Sequence, residues 1–387
     1  MPSALPRVTH PHLAPAALAA LLACGSATAQ TAYTYKELVK PSGSMGCAVG
    51  LGDVISTHAM NSQGDVAAFC YTVGGYKFGQ STDYGYNPFA ISPWYLYRPV
   101  LWRAGASAKA LPLTTRHVAF GIAPLDTGHV VARTVAYDGK VLSQAPADYT
   151  ETRWSPTLQR SPWQPCGEGA GLLRVVSRQG RFACLTQGGS AIAVSNQGTD
   201  LRTLPPMPGA QSLLIDMSAQ LAVNDAGQVA AVRQVASNQG PRSEAWLWTG
   251  TAWQAMALPE GLSPDFVVSL NNQGAALLRA GGGRWLLWQD GQARQLELGN
   301  MTPVALDDQG RVLGSEPASL NNGVYAAARV WANGQLSAPQ ALVSNWPAKW
   351  SARRVVDSLP DGRLLVEVGD FSQKYPSDSK LVLLTPQ

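Results

Sequence analysis

One short phrase recurs along this chain: an apolar stretch, Asn or Asp, about two residues, Gly, one more residue and a second apolar stretch. Clear copies occupy residues 59–68, 222–230, 269–274 and 305–314, and weaker copies occupy residues 126–131, 177–182 and 360–365. Self-similarity at a period of tens of residues is typical of solenoids and propellers. The repeat therefore constrains the architecture more than any single residue does.

Each copy predicts a β-hairpin. The Asn or Asp can bond its own backbone at the start of a turn, and the Gly supplies the positive φ that a type I turn closed by a bulge requires. A strand that carries Trp follows several hairpins, as at Trp102, Trp248, Trp288 and Trp331. A small turn and a fourth short strand come next, which makes the four strands of a propeller blade. A β-sandwich with similar turns is the alternative, but it gives no reason for a Trp strand at blade spacing.

The turn glycines count the units. They are Gly64, Gly128, Gly180, Gly227, Gly274, Gly310 and Gly362. Most intervals lie near the roughly 40 to 50 residues that a four-stranded blade needs. The last unit lacks a fourth strand after residues 379–384, whereas residues 33–39 form a strand with no hairpin of its own. Pairing the two would leave no open edge there. We therefore predict an all-β fold, a propeller of seven four-stranded blades closed by an N-terminal strand.

The unit also carries a family resemblance. The unit begins with Ala, an apolar residue, Asn, two residues, Gly, one residue and Val. A strand ending in Leu-Trp and a Leu-rich strand follow. This pattern resembles the HAF-type extracellular repeats of bacterial proteins. The likeness runs from about Ser56 to the C-terminus. The His-Ala-Phe that names the repeat is replaced here, for example by Glu244-Ala245-Trp246. The resemblance implies an exported β-propeller and no defined activity.

The N-terminus predicts export. Arg7 precedes an apolar run from Leu13 to Ala23, and Ala27-Thr28-Ala29 forms an A-x-A cleavage site. We expect a signal peptide at residues 1–29 and a single propeller domain at residues 30–387, in the periplasm or secreted. The run is too short to span a bilayer, so no transmembrane segment is expected. Residues 21–25 also resemble a lipobox, which would place a lipid anchor on Cys24 in an outer-membrane lipoprotein.

Four cysteines follow the predicted signal, and an even number in an exported chain favours disulfides. Cys47 and Cys70 lie on either side of Gly64, and Cys166 and Cys184 flank Gly180. The repeat register therefore predicts the pairs Cys47–Cys70 and Cys166–Cys184. Metal binding is the alternative, although no Cys-x-x-Cys spacing is present.

The residues give no catalytic motif. His-Glu-x-x-His, Gly-x-Ser-x-Gly and P-loop patterns are absent from the sequence, and the acidic turns lack the oxygen ligands of a calcium loop. His58, His117 and His129 are single histidines. We predict no catalytic residue, metal or cofactor. Lys and Arg are scattered and the formal net charge is +4, which does not indicate nucleic-acid binding.

Residues 71–99 depart from the repeat. This segment is rich in Tyr, Phe and Trp among small polar residues, a composition typical of recognition loops. We predict ligand contacts at Tyr84, Tyr86, Trp94 and Tyr95; the alternative is that the segment packs on its own blade. The expected function is a non-catalytic binding or structural propeller whose partner is an envelope or extracellular protein or glycan. The alternative is a propeller hydrolase or lyase acting on an extracellular polymer, which three or more acids or histidines at the channel mouth would favour.

Overall fold

The fold is a seven-bladed β-propeller, as the repeat predicts. The computed structural model describes residues 32–49, 58–82, 85–104, 106–113, 117–136, 149–167, 171–186, 191–196, 200–209, 221–235, 242–320, 323–370 and 379–387. The compact unit spans Ala32–Gln387, and its seven sheets each contain four antiparallel strands. The predicted signal peptide and Cys24 lie outside the described residues. No helix long and apolar enough to cross a membrane was found among the residues that the structure describes.

Each blade runs from an inner strand at the channel to an outer strand at the rim. The strands of blades 1 to 3 are β2 (Gly46–Ala48), β3 (Val66–Thr82), β4 (Gly85–Trp102) and β5 (Ala108–Ala110); β6 (His117–Pro124), β7 (Val130–Ala136), β8 (Tyr149–Trp154) and β9 (Arg160–Pro162); and β10 (Gly171–Val176), β11 (Arg181–Thr186), β12 (Ala191–Asn196) and β13 (Arg202–Thr203). The strands of blades 4 to 6 are β14 (Ala222–Val223), β15 (Val229–Val235), β16 (Arg242–Trp248) and β17 (Trp253–Ala255); β18 (Pro264–Leu270), β19 (Ala276–Ala280), β20 (Arg284–Gln289) and β21 (Gln292–Leu296); and β22 (Thr302–Leu306), β23 (Val312–Leu320), β24 (Gly323–Ala332) and β25 (Gln335–Ser337). Short 3-10 turns lie at Gly281–Gly283 and Pro339–Leu342.

Blade 7 joins the two ends of the chain. It contains β26 (Trp350–Ser358), β27 (Leu364–Asp370), β28 (Ser379–Pro386) and, as its outer strand, β1 (Tyr33–Leu38). β1 pairs antiparallel with β28, from Tyr33 opposite Pro386 to Leu38 opposite Leu381. The predicted closure by the N-terminal strand is therefore confirmed. The expectation that no open edge would remain is wrong, because β1 is itself the outer strand and its other side pairs with no described strand.

All seven repeat turns have the geometry that their residues predict. Each glycine has a φ between 74° and 90°, a region that only glycine enters without steric cost. In every turn the glycine N–H donates to the carbonyl three residues earlier, as Gly64 does to Asn61 (2.9 Å). The residue that opens the turn also donates its N–H across the hairpin, as Asn61 does to the Asp65 carbonyl (3.0 Å). A type I turn followed by a bulge glycine gives this pattern.

The Trp of the third strand occupies one position in the blade. It pairs with the second residue after the turn glycine, as Trp102 pairs with Val66, two residues after Gly64. The same register holds for Trp154, Trp248, Trp288 and Trp331. All five side chains are buried. The indole N–H of Trp102 donates to Val39 at the end of the preceding blade's outer strand (2.8 Å), and that of Trp154 donates to Pro112 (2.9 Å).

The hydrophobic core lies between the blades. Phe69 and Leu101 of blade 1 pack with Ile122 and Trp154 of blade 2 in one buried cluster. Comparable clusters lie at the other junctions, including blades 6 and 7, where Val330 shares a cluster with Val382. Since each blade covers an apolar face of the next, no blade can bury its core alone.

Two disulfides are present among the described residues. Cys47 of β2 is bonded to Cys70, directly opposite it on β3, and Cys166 in the loop after β9 is bonded to Cys184 of β11. These are the pairs that the repeat register predicts. The first fixes a three-residue inner strand, and the second links the end of blade 2 to blade 3.

We expect removal of either disulfide to destabilise the propeller. The loops closed by Cys47–Cys70 and Cys166–Cys184 span 23 and 18 residues, for which loop closure predicts a loss of about 3 kcal/mol in the free energy of unfolding. Paired Cys→Ala variants can be compared with the wild type by denaturant unfolding, with and without reductant. A loss below about 1 kcal/mol would contradict the prediction.

Candidate functional site

Seven turns meet at one end of the central channel and form what we call the turn ring. They are the hairpin turns that end in the seven repeat glycines. Hydrogen bonds link each turn to the next. The Ser62 N–H of blade 1 donates to Asp126 of blade 2 (2.7 Å), and the Asp225 N–H of blade 4 donates to Asn272 of blade 5 (2.8 Å). Similar bonds join blades 2 to 3, 3 to 4, 5 to 6 and 6 to 7.

The repeated Asn has two roles in this ring. The side-chain carbonyl of Asn224 accepts the Gln228 N–H of its own turn (2.9 Å). Its amide donates to the Asn271 carbonyl of the next blade (2.9 Å). Asn271 repeats both contacts, and Asn61 donates in the same way to Leu125. The repeated Asn therefore shapes its own turn and also holds adjacent blades together. The sequence predicted the role in the turn but not the contact between blades.

Arg178 crosses the channel beneath the turn ring. It belongs to blade 3, but its Nη2 donates to Asp357 (2.6 Å) and to the Ser358 carbonyl (2.8 Å) of blade 7. Its Nε donates to the Met60 carbonyl of blade 1 (2.9 Å). The Asp357 carboxylate also accepts the Ala59 and Met60 N–H groups (2.7 and 2.8 Å). The ion pair thus connects three blades across the axis and completes the ring between blades 7 and 1.

Burial perturbs the ionisable groups at this position. Asp357 is only 3% exposed. Burial raises the pKa of the Asp357 carboxyl, while Arg178 and three backbone N–H groups oppose the rise. Burial and then the Arg178 charge lower the pKa of His58 to about 3. Neutral His58 donates from Nε2 to the Pro124 carbonyl (3.2 Å).

These groups fill the end of the channel. His58, Arg178, Asp225, Asp307 and Asp357 line a remaining cavity of about 50 Å³, whereas pockets for small ligands are about 300–1,000 Å³. A cavity of that size admits only a few water molecules. Acids and a histidine therefore converge here, as an enzyme would require, but Arg178 occupies the space that a substrate would need.

The pH dependence of the free energy of unfolding should reveal the lowered pKa of His58. Its pKa is 6.5 ordinarily and about 3 in the fold, so the folded state binds fewer protons than the unfolded state between these values. Stability is therefore lost as the pH falls below about 6.5, and His58 should account for about 3 kcal/mol between about pH 7.5 and about pH 4.5.

Urea unfolding at several pH values measures this loss. His58→Gln should remove most of it, because the amide does not titrate and can still donate a hydrogen bond. Asp357, whose raised pKa acts in the opposite direction on acidification, is present in both proteins and cancels in the difference. His129→Gln is the comparison: burial also lowers the pKa of His129, but this residue is only half-buried, so most of the wild-type pH slope should remain. Equal pH slopes for the wild type and His58→Gln would contradict the assignment.

A second, larger cavity lies at the rim between blades 7 and 1, and we call it the closure groove. Its volume is about 810 Å³. Lys36, Leu38 and Val39 line it from β1 and the residue after it, and Leu383 lines it from β28. Trp102 and Arg103 of blade 1 form the opposite wall. Val39 is 66% exposed, the largest exposure among the exposed large hydrophobic side chains of the described residues.

The predicted aromatic site lies on a long hairpin of blade 1. β2 reaches only Tyr71 on β3, and beyond it β3 pairs with β4 alone, with Val73 opposite Tyr95, Gly75 opposite Trp94 and Ser81 opposite Tyr86. The last residue of β3, Thr82, and the first residue of β4, Gly85, lie at the end of the blade opposite the turn ring, because the strands alternate in direction. Tyr84 and the side chains of Tyr86, Trp94 and Tyr95 lie outside what the structure describes, so these contacts stay predictions.

Sequence reasoning missed Arg178, Asp357 and the closure groove. One signal was available for Arg178: it stands in the turn position where Asp126, Asp225 and Asp308 carry acids. Asp357 lies at the end of an ordinary strand and gives no such signal. Metal ligation was not predicted, and among the described ranges no group of three or more His, Cys, Asp or Glu side chains is placed to hold a metal ion.

Comparisons with known proteins give distant structural similarities and no family. No protein-family model and no curated protein matches the chain. Among solved structures, it is similar to YCF48 bound to D1 peptide, with 10% identity, 92% of this chain and 98% of that chain covered, and a TM-score of 0.48. Virginiamycin B lyase from Staphylococcus aureus has 10% identity, 92% and 100% coverage and a TM-score of 0.46. The β-propeller domain of the Trilobed protease from Pyrococcus furiosus has 8% identity, 86% and 94% coverage and a TM-score of 0.49. Similarity at this level says nothing about activity, ligand or partner.

Proposed function

We propose that this protein is an exported, non-catalytic binding propeller of the bacterial cell envelope, of the HAF-repeat type. The observation that carries the proposal is the closed end of the channel. Catalysis at this end of the axis would need room for a substrate, and here Arg178 and Asp357 fill the space. Two disulfides support an oxidising compartment.

The aromatic hairpin is the proposed recognition surface. β3 and β4 contain 17 and 18 residues, whereas the other two strands of blade 1, β2 and β5, pair with only three residues each. A two-stranded ribbon gains little stability by itself. Its length and its aromatic composition are therefore better explained by contact with a partner than by the needs of the propeller, and Tyr84, Tyr86, Trp94 and Tyr95 are the proposed contacts.

Deleting residues 79–93 tests this role. Cosedimentation of the purified protein with isolated bacterial envelopes measures binding, and the deletion should lower the bound fraction at least tenfold. The free energy of unfolding should change by less than about 1 kcal/mol, because the removed strands lie beyond the four-stranded blade.

The control shortens the comparable hairpin of blade 6 by deleting residues 318–325. β23 and β24 also extend beyond their neighbours there, with Ala318 opposite Tyr325. This variant should bind like the wild type. Binding that survives the deletion at residues 79–93, or collapse of the fold, would show that the hairpin is structural.

Catalysis on an extracellular polymer is the second candidate function, because His58 and several acids do converge. Incubation with anionic and neutral polysaccharides, followed by detection of new reducing ends and of unsaturated products, tests it. We expect no turnover. Turnover that His58→Gln abolishes without unfolding the protein would overturn the proposal.

Export is tested separately by the mass of the mature protein. Cleavage after Ala29 gives a chain beginning at Gln30. A diacylglyceryl adduct on Cys24 would instead establish an outer-membrane lipoprotein.

A further inference from the structure

β1 is the longest outer strand of the propeller. It contains six residues, whereas the other six outer strands contain two to five. Among the strands that the structure describes, β1 pairs with β28 alone. An unpaired strand edge presents a row of N–H and C=O groups to which another chain can bind, and short outer strands limit that exposure. Blade 7 therefore carries the most extended open edge among the described outer strands.

The register shows which groups face this edge. Gln387 donates its N–H to the Ala32 carbonyl (2.9 Å), one step beyond the Tyr33–Pro386 pair. Hydrogen-bonded pairs alternate along an antiparallel ladder, so Thr34, Lys36 and Leu38 bond to β28. The backbone groups of Tyr33, Tyr35 and Glu37 then point away from it. Pro386, which has no N–H, lies opposite Tyr33, where none is needed.

The closure groove continues along one face of the same edge. Leu38 and Leu383 pack toward blade 1, whereas Tyr33 packs toward blade 6. A strand added to β1 would therefore place every second side chain over the groove, opposite Thr34, Lys36 and Leu38. Exposed Val39 and the wall at Trp102 provide apolar contact area there.

The charge of this edge selects the occupant. Glu37 is paired with Lys380 (2.8 Å) and Arg103 with Asp65 (2.5 Å). Lys36 forms no ion pair with any residue that the structure describes, and it is exposed. A cross-strand neighbour of opposite sign is favourable and one of like sign is unfavourable.

We infer that the open edge of β1 binds an extended segment of a partner polypeptide by strand addition, with an acidic side chain opposite Lys36 and an apolar side chain opposite Leu38. Main-chain hydrogen bonds to Tyr33, Tyr35 and Glu37 supply the affinity, and the closure groove selects the alternate side chains. This inference rests on the proposed binding function, but it concerns a different surface from the aromatic hairpin.

The test uses the purified full chain and a capped, fluorescent peptide, Thr-Leu-Thr-Asp-Thr-Val-Thr. In the antiparallel register its Leu faces Leu38 and its Asp faces Lys36. We expect saturable binding by fluorescence anisotropy, and at least tenfold slower hydrogen exchange at the Tyr33, Tyr35 and Glu37 amides. A peptide with Lys in place of Asp should bind about fivefold more weakly. Lys36→Glu should reverse that preference.

Glu37→Pro tests the main-chain contact. It removes an N–H that faces the open edge and leaves the ladder with β28 intact, so it should weaken peptide binding at least tenfold. Glu37→Ala, which loses the same ion pair but keeps the N–H, should bind within about twofold of the wild type, since a partly exposed ion pair contributes little.

Unchanged exchange of these three amides at millimolar peptide would overturn the inference. Slow exchange without peptide, together with a concentration-dependent dimer in sedimentation, would also overturn it, since a second copy would then occupy the edge. The propeller lacking residues 79–93 should still bind the peptide. If that variant loses envelope binding and the wild type binds no peptide, the proposed function stands and this inference is refuted.

Discussion

Replacing Asp357 with Ala is expected to lower the free energy of unfolding by about 3–5 kcal/mol. The substitution leaves the buried Arg178 guanidinium without its ion-pair partner, although Asp225, Asp308 and Asp126 still act on its charge. It also leaves the Ala59 and Met60 N–H groups without their acceptor. Burial makes both losses costly, because water cannot replace the carboxylate. Denaturant unfolding followed by tryptophan fluorescence measures the change.

The matched control is Asp361→Ala in the turn of the same blade. Asp361 also forms an ion pair with an arginine, Arg363 (2.7 Å), but its side chain is 54% exposed. That loss should be below about 1 kcal/mol. Combining Asp357→Ala with Arg178→Met should cost less than the sum of the two single substitutions, since the unpaired charge is removed as well. Equal effects of Asp357→Ala and Asp361→Ala would contradict a structural role for the axial ion pair.

Deleting residues 32–38 should be the second strongly destabilising change, with a loss of about 5 kcal/mol or more from buried apolar area and ladder hydrogen bonds. The deletion removes buried Tyr33. It also exposes Val382 and Leu384, which β1 covers in the wild type. Blade 7 would then be a three-stranded sheet. The measurement is the free energy of unfolding, with dye binding to report exposed apolar surface.

Two proline substitutions serve as controls for this deletion. Lys36→Pro removes an N–H that bonds to β28 and should cost about 1–3 kcal/mol, because the carbonyl opposite loses its donor. Glu37→Pro removes an N–H that faces the open edge and should cost about 1 kcal/mol or less, mainly from the ion pair with Lys380. A truncated chain as stable as the wild type would show that β1 does not close the propeller.

The repeat residues were enough to predict the fold because their effects are local. A turn that needs positive φ at Gly64 or Gly310 needs it whatever the rest of the chain does. A third-strand Trp that pairs with the second residue after the turn glycine can be buried only against the neighbouring blade. Seven such units determined the number of blades, and the strand missing at the C-terminus indicated that residues 33–39 would supply it. The cysteine pairs followed from the same register.

The candidate sites could not be predicted in this way, because they depend on residues far apart in sequence. Arg178 and Asp357 meet only because closure brings blade 3 opposite blade 7, and no pattern within either strand indicates the contact. The Asn side chains of the turns were explained by their own hairpins, although one of the three hydrogen bonds that each of them makes goes to the next blade. The closure groove exists because the first strand of the chain lies beside Trp102.

The sequence alone therefore determined the architecture of this protein: hairpin turns, blade number, strand closure and disulfide pairing all arise from short-range steric and hydrogen-bonding preferences that repeat. Only the tertiary structure decided that Arg178 and Asp357 fill one end of the channel. It also decided that the outer edge of β1 lies at the junction of blades 7 and 1, with Lys36 in no ion pair to a described residue. The physical reason is that burial and ion pairing depend on which side chains the closed ring brings together, and ring closure is a property of the whole chain.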